Sequence, residues 1–106
     1  IPLQVLLLLL HVSGNFSLIA EAIDDVGIKH VEFYLDGSTL IDIAEESPYT
    51  VRWDSRLTFS GNHMLTAVAY DLGDHSTRSN AIHIIIHNIP KDNVLTYKFL
   101  KMFRGN

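Results

Sequence analysis

The sequence predicts an all-β chain, a two-sheet antiparallel sandwich of about seven strands. Two observations carry that reading. From Phe16 onward, apolar and polar residues alternate in short runs, the period of two that half-buried strands require. Turn chemistry separates the runs at roughly ten-residue spacing, and no amphipathic helix intervenes before Pro90.

The elements follow in order. The opening "IPLQVLLLLL" lacks the positive n-region and small-residue cleavage site of a signal peptide. It is also far shorter than the ~20 apolar residues that span a bilayer. It reads as a strand, apolar on both faces, in preference to a signal remnant or membrane-edge segment. In "FSLIAEAID", Phe16, Leu18, Ala20 and Ala22 share one face, with Ser17 and Glu21 on the other. In "KHVEFYLD", Val31, Phe33 and Leu35 oppose His30, Glu32 and Tyr34. Asp36-Gly37 then signals a hairpin, since a type I′ turn needs positive φ at both central residues. Leu40, Ile41 and Ile43 resume the apolar pattern. Pro48 opens a strand with Tyr49, Val51 and Trp53 on one face, and Thr50 and Arg52 outward. Gly61-Asn62 predicts a turn before a strand carrying Leu65, Ala67 and Ala69. The last strand sets Ile82, Ile84 and Ile86 inward, with His83, Ile85 and His87 outward. Residues 1–88 thus form the sandwich, with 1–11 its apolar N-terminal strand. Residues 89–106 are a C-terminal tail or linker, in which Leu95, Phe99 and Met102 fit a short helix, an extra strand or a connection to a following domain.

Composition bounds the function. A chain of 106 residues, 47% hydrophobic and 19% charged, is one globular domain. Its net charge of −4 excludes a nucleic-acid footprint, for which Lys98, Lys101 and Arg104 are too sparse. With no cysteine, the core alone must supply stability. With no initiator methionine, the chain reads as a mature product or an excised piece.

The stretches "AIDDVGIKHVEFYLDG", "SPYTVRWDS" and "GNHMLTAVAYD" resemble the bacterial-type immunoglobulin-like (Big family) domains of secreted or cell-surface multidomain proteins. The match runs from about Val12 to Asn88, with several separated motifs in order. Two departures stand out: unbroken leucines where the family has a Pro- and Gly-containing approach, and Asp74-His75 where it usually carries Gly-Asn. The resemblance implies an immunoglobulin-like β-sandwich that is a module and not a catalyst, similar to spacers, stalks and accessory units.

In such a sandwich the loops holding Asp24, Asp25 and Asp71, Asp74 share one end. Four carboxylates there are calcium candidates, because Ca²⁺ takes six to eight oxygen ligands. The competing and favoured reading is that each aspartate caps its own turn, so no metal or cofactor is expected. His63 and His75 flank a strand spanning roughly 30 Å, and His83 and His87 lie ~13 Å apart, so neither pair shares an ion. Catalysis finds no machinery. Ser13, Ser38 and Ser79 sit in turn-like contexts without a nucleophile elbow, and Glu45-Glu46 are loop neighbours and do not face each other across a cleft. Trp53, Tyr49 and Phe33 alternate in phase with the core, leaving Tyr34 as the one outward mid-strand aromatic. Asn15-Phe16-Ser17 fits an N-glycosylation acceptor.

The expectation is therefore a non-catalytic, secreted or cell-surface structural module serving spacing, adhesion or assembly. Its partners are neighbouring domains or like subunits, without nucleic acid or a membrane span. Alternatives are a self-assembling filament or virion subunit using strand exchange, and a carbohydrate-binding accessory domain of a secreted hydrolase. A bare apolar edge invites another chain, so the N-terminal strand is expected to be covered, by strand exchange or by the tail from Val94 to Phe103.

Overall fold

The structure, a computed structural model, describes residues 2–12 and 15–88. The tail set apart at 89–106 lies outside the described residues. β1 (Gln4–Val12), β2 (Asn15–Ile23) and β5 (Tyr49–Trp53) form one antiparallel sheet in the order β1-β2-β5. The facing sheet contains β3 (Ile28–Leu35), β4 (Thr39–Ala44), β6 (Gly61–Asp71), β7 (Ser76–Arg78) and β8 (Ile82–Ile86). Its order is β4-β3-β6-β7, and β8 also pairs with β6. β7 and β8 are one edge strand interrupted at Ser79, Asn80 and Ala81, so the count stays close to seven. Ser79 bridges the gap: its N–H donates to the Ala67 carbonyl at 2.8 Å and its Oγ accepts from the Ala67 N–H at 2.9 Å.

The inward sets deduced from alternation form the core: ten of their members are buried, and Phe16, Ala22, Leu35, Tyr49, Ile82 and Ile84 are half-buried against them. Leu18, Val31, Phe33, Leu65, Ala67 and Ala69 are fully enclosed, and Val51, Trp53 and Ile86 join the same cluster. Alanines at 20, 67 and 69 leave room for the Phe33 and Trp53 rings within one core. Each large apolar side chain buried there contributes about 1.5–3 kcal/mol.

The leucine-rich N-terminus is a strand. β1 pairs with β2 of its own chain from Gln4 opposite Ile23 to Val12 opposite Asn15. Leu3 and Leu7 are buried, with Val5 and Leu9 packed against the core. The opposite face stays open: Leu6, Leu8 and Leu10 are 46%, 40% and 51% exposed.

Two details differ from the sequence reading. Gly61-Asn62 is not a turn, because Gly61, at φ 133°, already pairs with Ile86. The chain reverses earlier, through a single 3₁₀ turn (Ser55–Leu57) whose first N–H groups need a cap. Asp54 supplies it, accepting from the Arg56 N–H at 3.1 Å. In β4 the register passes from Asp42 opposite Phe33 to Leu40 opposite Tyr34, skipping Ile41. Ile41 therefore packs against the core while Leu40 and Ile43 face out. A bulge inserts one residue and so breaks the alternation that sequence reading relies on.

Candidate functional site

The β2–β3 and β6–β7 loops do meet at one end, where the Leu72 N–H donates to the Gly27 carbonyl at 3.0 Å. Asp24, Asp25 and Asp71 border an open cleft of about 440 Å³ with Pro2, Leu3, Val26 and His75. Asp24 Oδ2 accepts from the N–H groups of Val26 and Gly27 at 3.0 and 3.1 Å. Asp71, 2% exposed, gives Oδ1 to the N–H groups of Gly73 and His75 at 2.8 and 2.9 Å, and Oδ2 to His75 Nδ1 at 3.1 Å. Burial pushes the Asp71 carboxyl up, but these bonds outweigh it and hold the group below the usual carboxylate range. Asp74 lies in the same turn at φ 64°, its N–H on the Asp71 carbonyl at 3.3 Å, and does not border the cleft. Three of the four calcium candidates are thus brought together, yet Asp24 Oδ2 and Asp71 Oδ1 each serve two backbone N–H groups and Asp71 Oδ2 serves the His75 ring. Among the described residues, no three His, Asp or Glu side chains converge to hold a metal ion.

At the opposite end stands His63. Its Nδ1 is 2.7 Å from Asp36 Oδ2, and its Nε2 is 2.6 Å from the Phe59 carbonyl oxygen. Asp36 Oδ1 also accepts from the Met64 N–H at 3.1 Å, while the Asp36 N–H donates to the Met64 carbonyl at 2.8 Å. The hairpin places Asp36 there: Asp36 and Gly37 have φ of 55° and 85°, the consecutive positive values that a type I′ turn requires. The Asp36 carboxylate, then the Phe59 carbonyl, raise the His63 pKa, and His63 in turn lowers that of Asp36.

The outer face of the five-stranded sheet carries a third cluster. Glu32 Oε1 accepts from the Tyr34 hydroxyl at 2.5 Å, and its Oε2 lies 2.9 Å from His30 Nε2. Tyr70 stacks on His30 with ring centroids 4.7 Å apart. Burial pushes Glu32 up, but the bonds from Tyr34 and His30 bring it below the usual carboxylate range. The same bond pushes the Tyr34 hydroxyl up to about 12. Tyr34, the outward mid-strand aromatic, is joined on its face by Tyr70 from the end of β6. The signal was present in the sequence, because Tyr70 follows Val68 and Thr66 in phase opposite Ala69, but its position at the end of a strand hid it.

The remaining candidates are structural or peripheral. Trp53 is 8% exposed and tilts against Phe16 at 5.4 Å. Asn15 is exposed at the start of β2. Ser79 is consumed by Ala67 and Asn80. His83 and His87 are exposed on the outer face. No helix among the described residues is long and apolar enough to cross a membrane.

Sheet order, core and capped loops together define an immunoglobulin-like β-sandwich module. The chain belongs to the bacterial Ig domain family, whose model matches residues 10–67, more than half of its length. Among solved structures it is similar to the fibronectin(III)-like modules of Clostridium thermocellum CbhA, at 24% identity and a TM-score of 0.63, over 80% of this chain and 100% of that one. It is also similar to pectate lyase PelI from Erwinia chrysanthemi, solved with tetragalacturonic acid, at 21% identity and a TM-score of 0.59 over 76% of this chain. Pectate lyase Pel3 from Pectobacterium carotovorum gives 14% identity and a TM-score of 0.62 over 83% of this chain. The match spans only 28% of each of those two lyase chains. At these identities the likeness is one of fold. Among curated proteins no sequence match was found.

Proposed function

We propose that this chain is a non-catalytic extracellular spacer module, a rigid link between parts of a longer secreted or cell-surface protein. One observation carries the reading: the described chain enters and leaves the sandwich at opposite ends. Pro2 and Leu3 border the cleft at the Asp71 end of β6, whereas Ile86 pairs with Gly61 at its start. Eleven residues of β6 separate those ends by about 33 Å. In-line entrance and exit suit a link that holds its neighbours apart. The polar groups agree, since Asp24, Asp36, Asp54 and Asp71 all accept bonds from backbone N–H groups. The test is a swap within a longer protein that carries the module. An unrelated sandwich with the same end-to-end geometry should preserve function, and deletion should impair it. A swap as damaging as deletion would refute the spacer role and point to a specific surface.

A second reading, assembly with a like subunit or neighbouring domain, rests on the exposed Leu6, Leu8 and Leu10 of β1. Alternation would ordinarily put polar residues there. Light scattering decides it: an oligomer that becomes monomeric on Leu8→Glu supports assembly, and a concentrated monomer refutes self-assembly.

A further inference from the structure

The segment from Asp54 to Ser60, which joins β5 to β6, presents Leu57 and Phe59 to solvent at 87% and 91% exposure. It buries little, so polar bonds must hold it. One set comes from Asn88, beyond β8: its Nδ2 donates to the carbonyls of Ser55 and Thr58, and Ser60 Oγ exchanges bonds with Asn88 backbone at 2.8 and 3.0 Å. The other is the bond from His63 to the Phe59 carbonyl at 2.6 Å.

Both partners of the His63 ring are acceptors, a carboxylate oxygen and a carbonyl oxygen. A neutral imidazole has one N–H and satisfies one of them; only the imidazolium satisfies both. We propose that His63 is a proton-operated pin. Its imidazolium ties the Phe59 carbonyl to the β3–β4 turn, and loss of the proton releases the 54–60 segment at the end where the described chain leaves the sandwich.

The chemistry favours release at Phe59. A neutral ring keeps its remaining N–H on the charged Asp36 acceptor, because hydrogen bonds to a carboxylate are stronger than those to a carbonyl. Nε2 then presents a lone pair to the Phe59 oxygen, and the two repel. The segment is left held from the Asn88 side alone. The other ionisable groups at this end are few. His83 of β8 borders the same cavity as His63, His87 is exposed beside Asn88, and Asp54 and Arg56 on the segment are bonded to each other at 2.9 Å.

Proton-resolved NMR tests this on the unmodified chain. The His63 ring and the amides of Phe59, Ser60 and Asn88 should titrate together, with a midpoint above the 6.5 of a free histidine. Asp36→Asn should move the ring and amide midpoints down together. His83→Gln should leave them in place. Segment amides that stay still while the His63 ring titrates would overturn the pin. So would amides that follow His83 or His87, or a ring midpoint that Asp36→Asn does not lower.

Discussion

Asn80 holds both backbone groups of Leu7, a residue 73 positions away: its Oδ1 accepts from the Leu7 N–H at 2.9 Å and its Nδ2 donates to the Leu7 carbonyl at 3.2 Å. The interruption between β7 and β8 turns Asn80 towards β1, whose other side pairs with β2. A side-chain amide has the same donor and acceptor as a peptide, so Asn80 stands in for one residue of a neighbouring strand. It joins the two sheets along one edge and closes part of an edge that would otherwise invite another chain.

Asn80→Ala should therefore cost about 1–3 kcal/mol, because it leaves the Leu7 groups without a protein partner. Hydrogen exchange should speed up at the Leu7 amide and much less at Leu8, whose amide faces β2. Equal protection at Leu7 in the variant would contradict the assignment.

Trp53 lies in the core at 8% exposure, so Trp53→Ala should cost roughly 3–5 kcal/mol in chemical denaturation. That is a large share of the 5–15 kcal/mol typical of a folded domain. Native fluorescence should peak well to the blue of the unfolded chain. A water-like maximum would contradict burial.

Gly37, at φ 85°, has open space beside it apart from Met64 Cε at 3.9 Å. Strain, and not collision, should then dominate, and Gly37→Val should cost about 1–3 kcal/mol. Asp36→Asn keeps a residue tolerant of positive φ but gives up the charge facing His63, so it too should lower the melting temperature. An unchanged melting temperature for Gly37→Val would remove the turn assignment.

Stability should fall on both sides of a window from mildly acidic to neutral pH. Glu32, Asp36, Asp54 and Asp71 titrate lower in the folded chain than their ordinary 4.5 and 3.8. Their stabilisation is complete above those ordinary values and is lost as the pH drops through the folded ones. His63 titrates higher than its ordinary 6.5, so its stabilisation is complete below 6.5 and is lost as the pH rises through the folded value. Urea midpoints measured from about pH 3 to about pH 9 should trace that dome. Asp36→Asn should flatten its alkaline side. A wild-type midpoint that keeps rising with pH through neutrality would contradict the His63 linkage.

Calcium should leave the protein unmoved. One oxygen of Asp24 and one of Asp71 each accept two backbone N–H groups, and a cation bound there would have to displace those bonds. Millimolar Ca²⁺ should not raise the melting temperature, nor EDTA lower it. A clear calcium-dependent rise would mean that the capped loops open to bind it.

The class of fold and most side-chain orientations were legible from alternation alone, because it is a local property of a half-buried strand. Val31, Phe33, Val51, Trp53, Leu65 and Ile86 face inward as their spacing requires, and Asp36-Gly37 turns where its φ preference dictates. Whatever depends on distant residues emerged only in the folded chain. Ile41 turns inward because a bulge shifts the register against β3. Asp36 serves as a charged acceptor because β6 brings His63 to it from 27 positions away. Tyr70 joins Glu32, Tyr34 and His30 only through the pairing of β3 with β6. Asn80 reaches Leu7 only because two sheets close on each other. Period and turn propensity are encoded residue by residue, whereas hydrogen bonds across the sandwich exist only once it has formed.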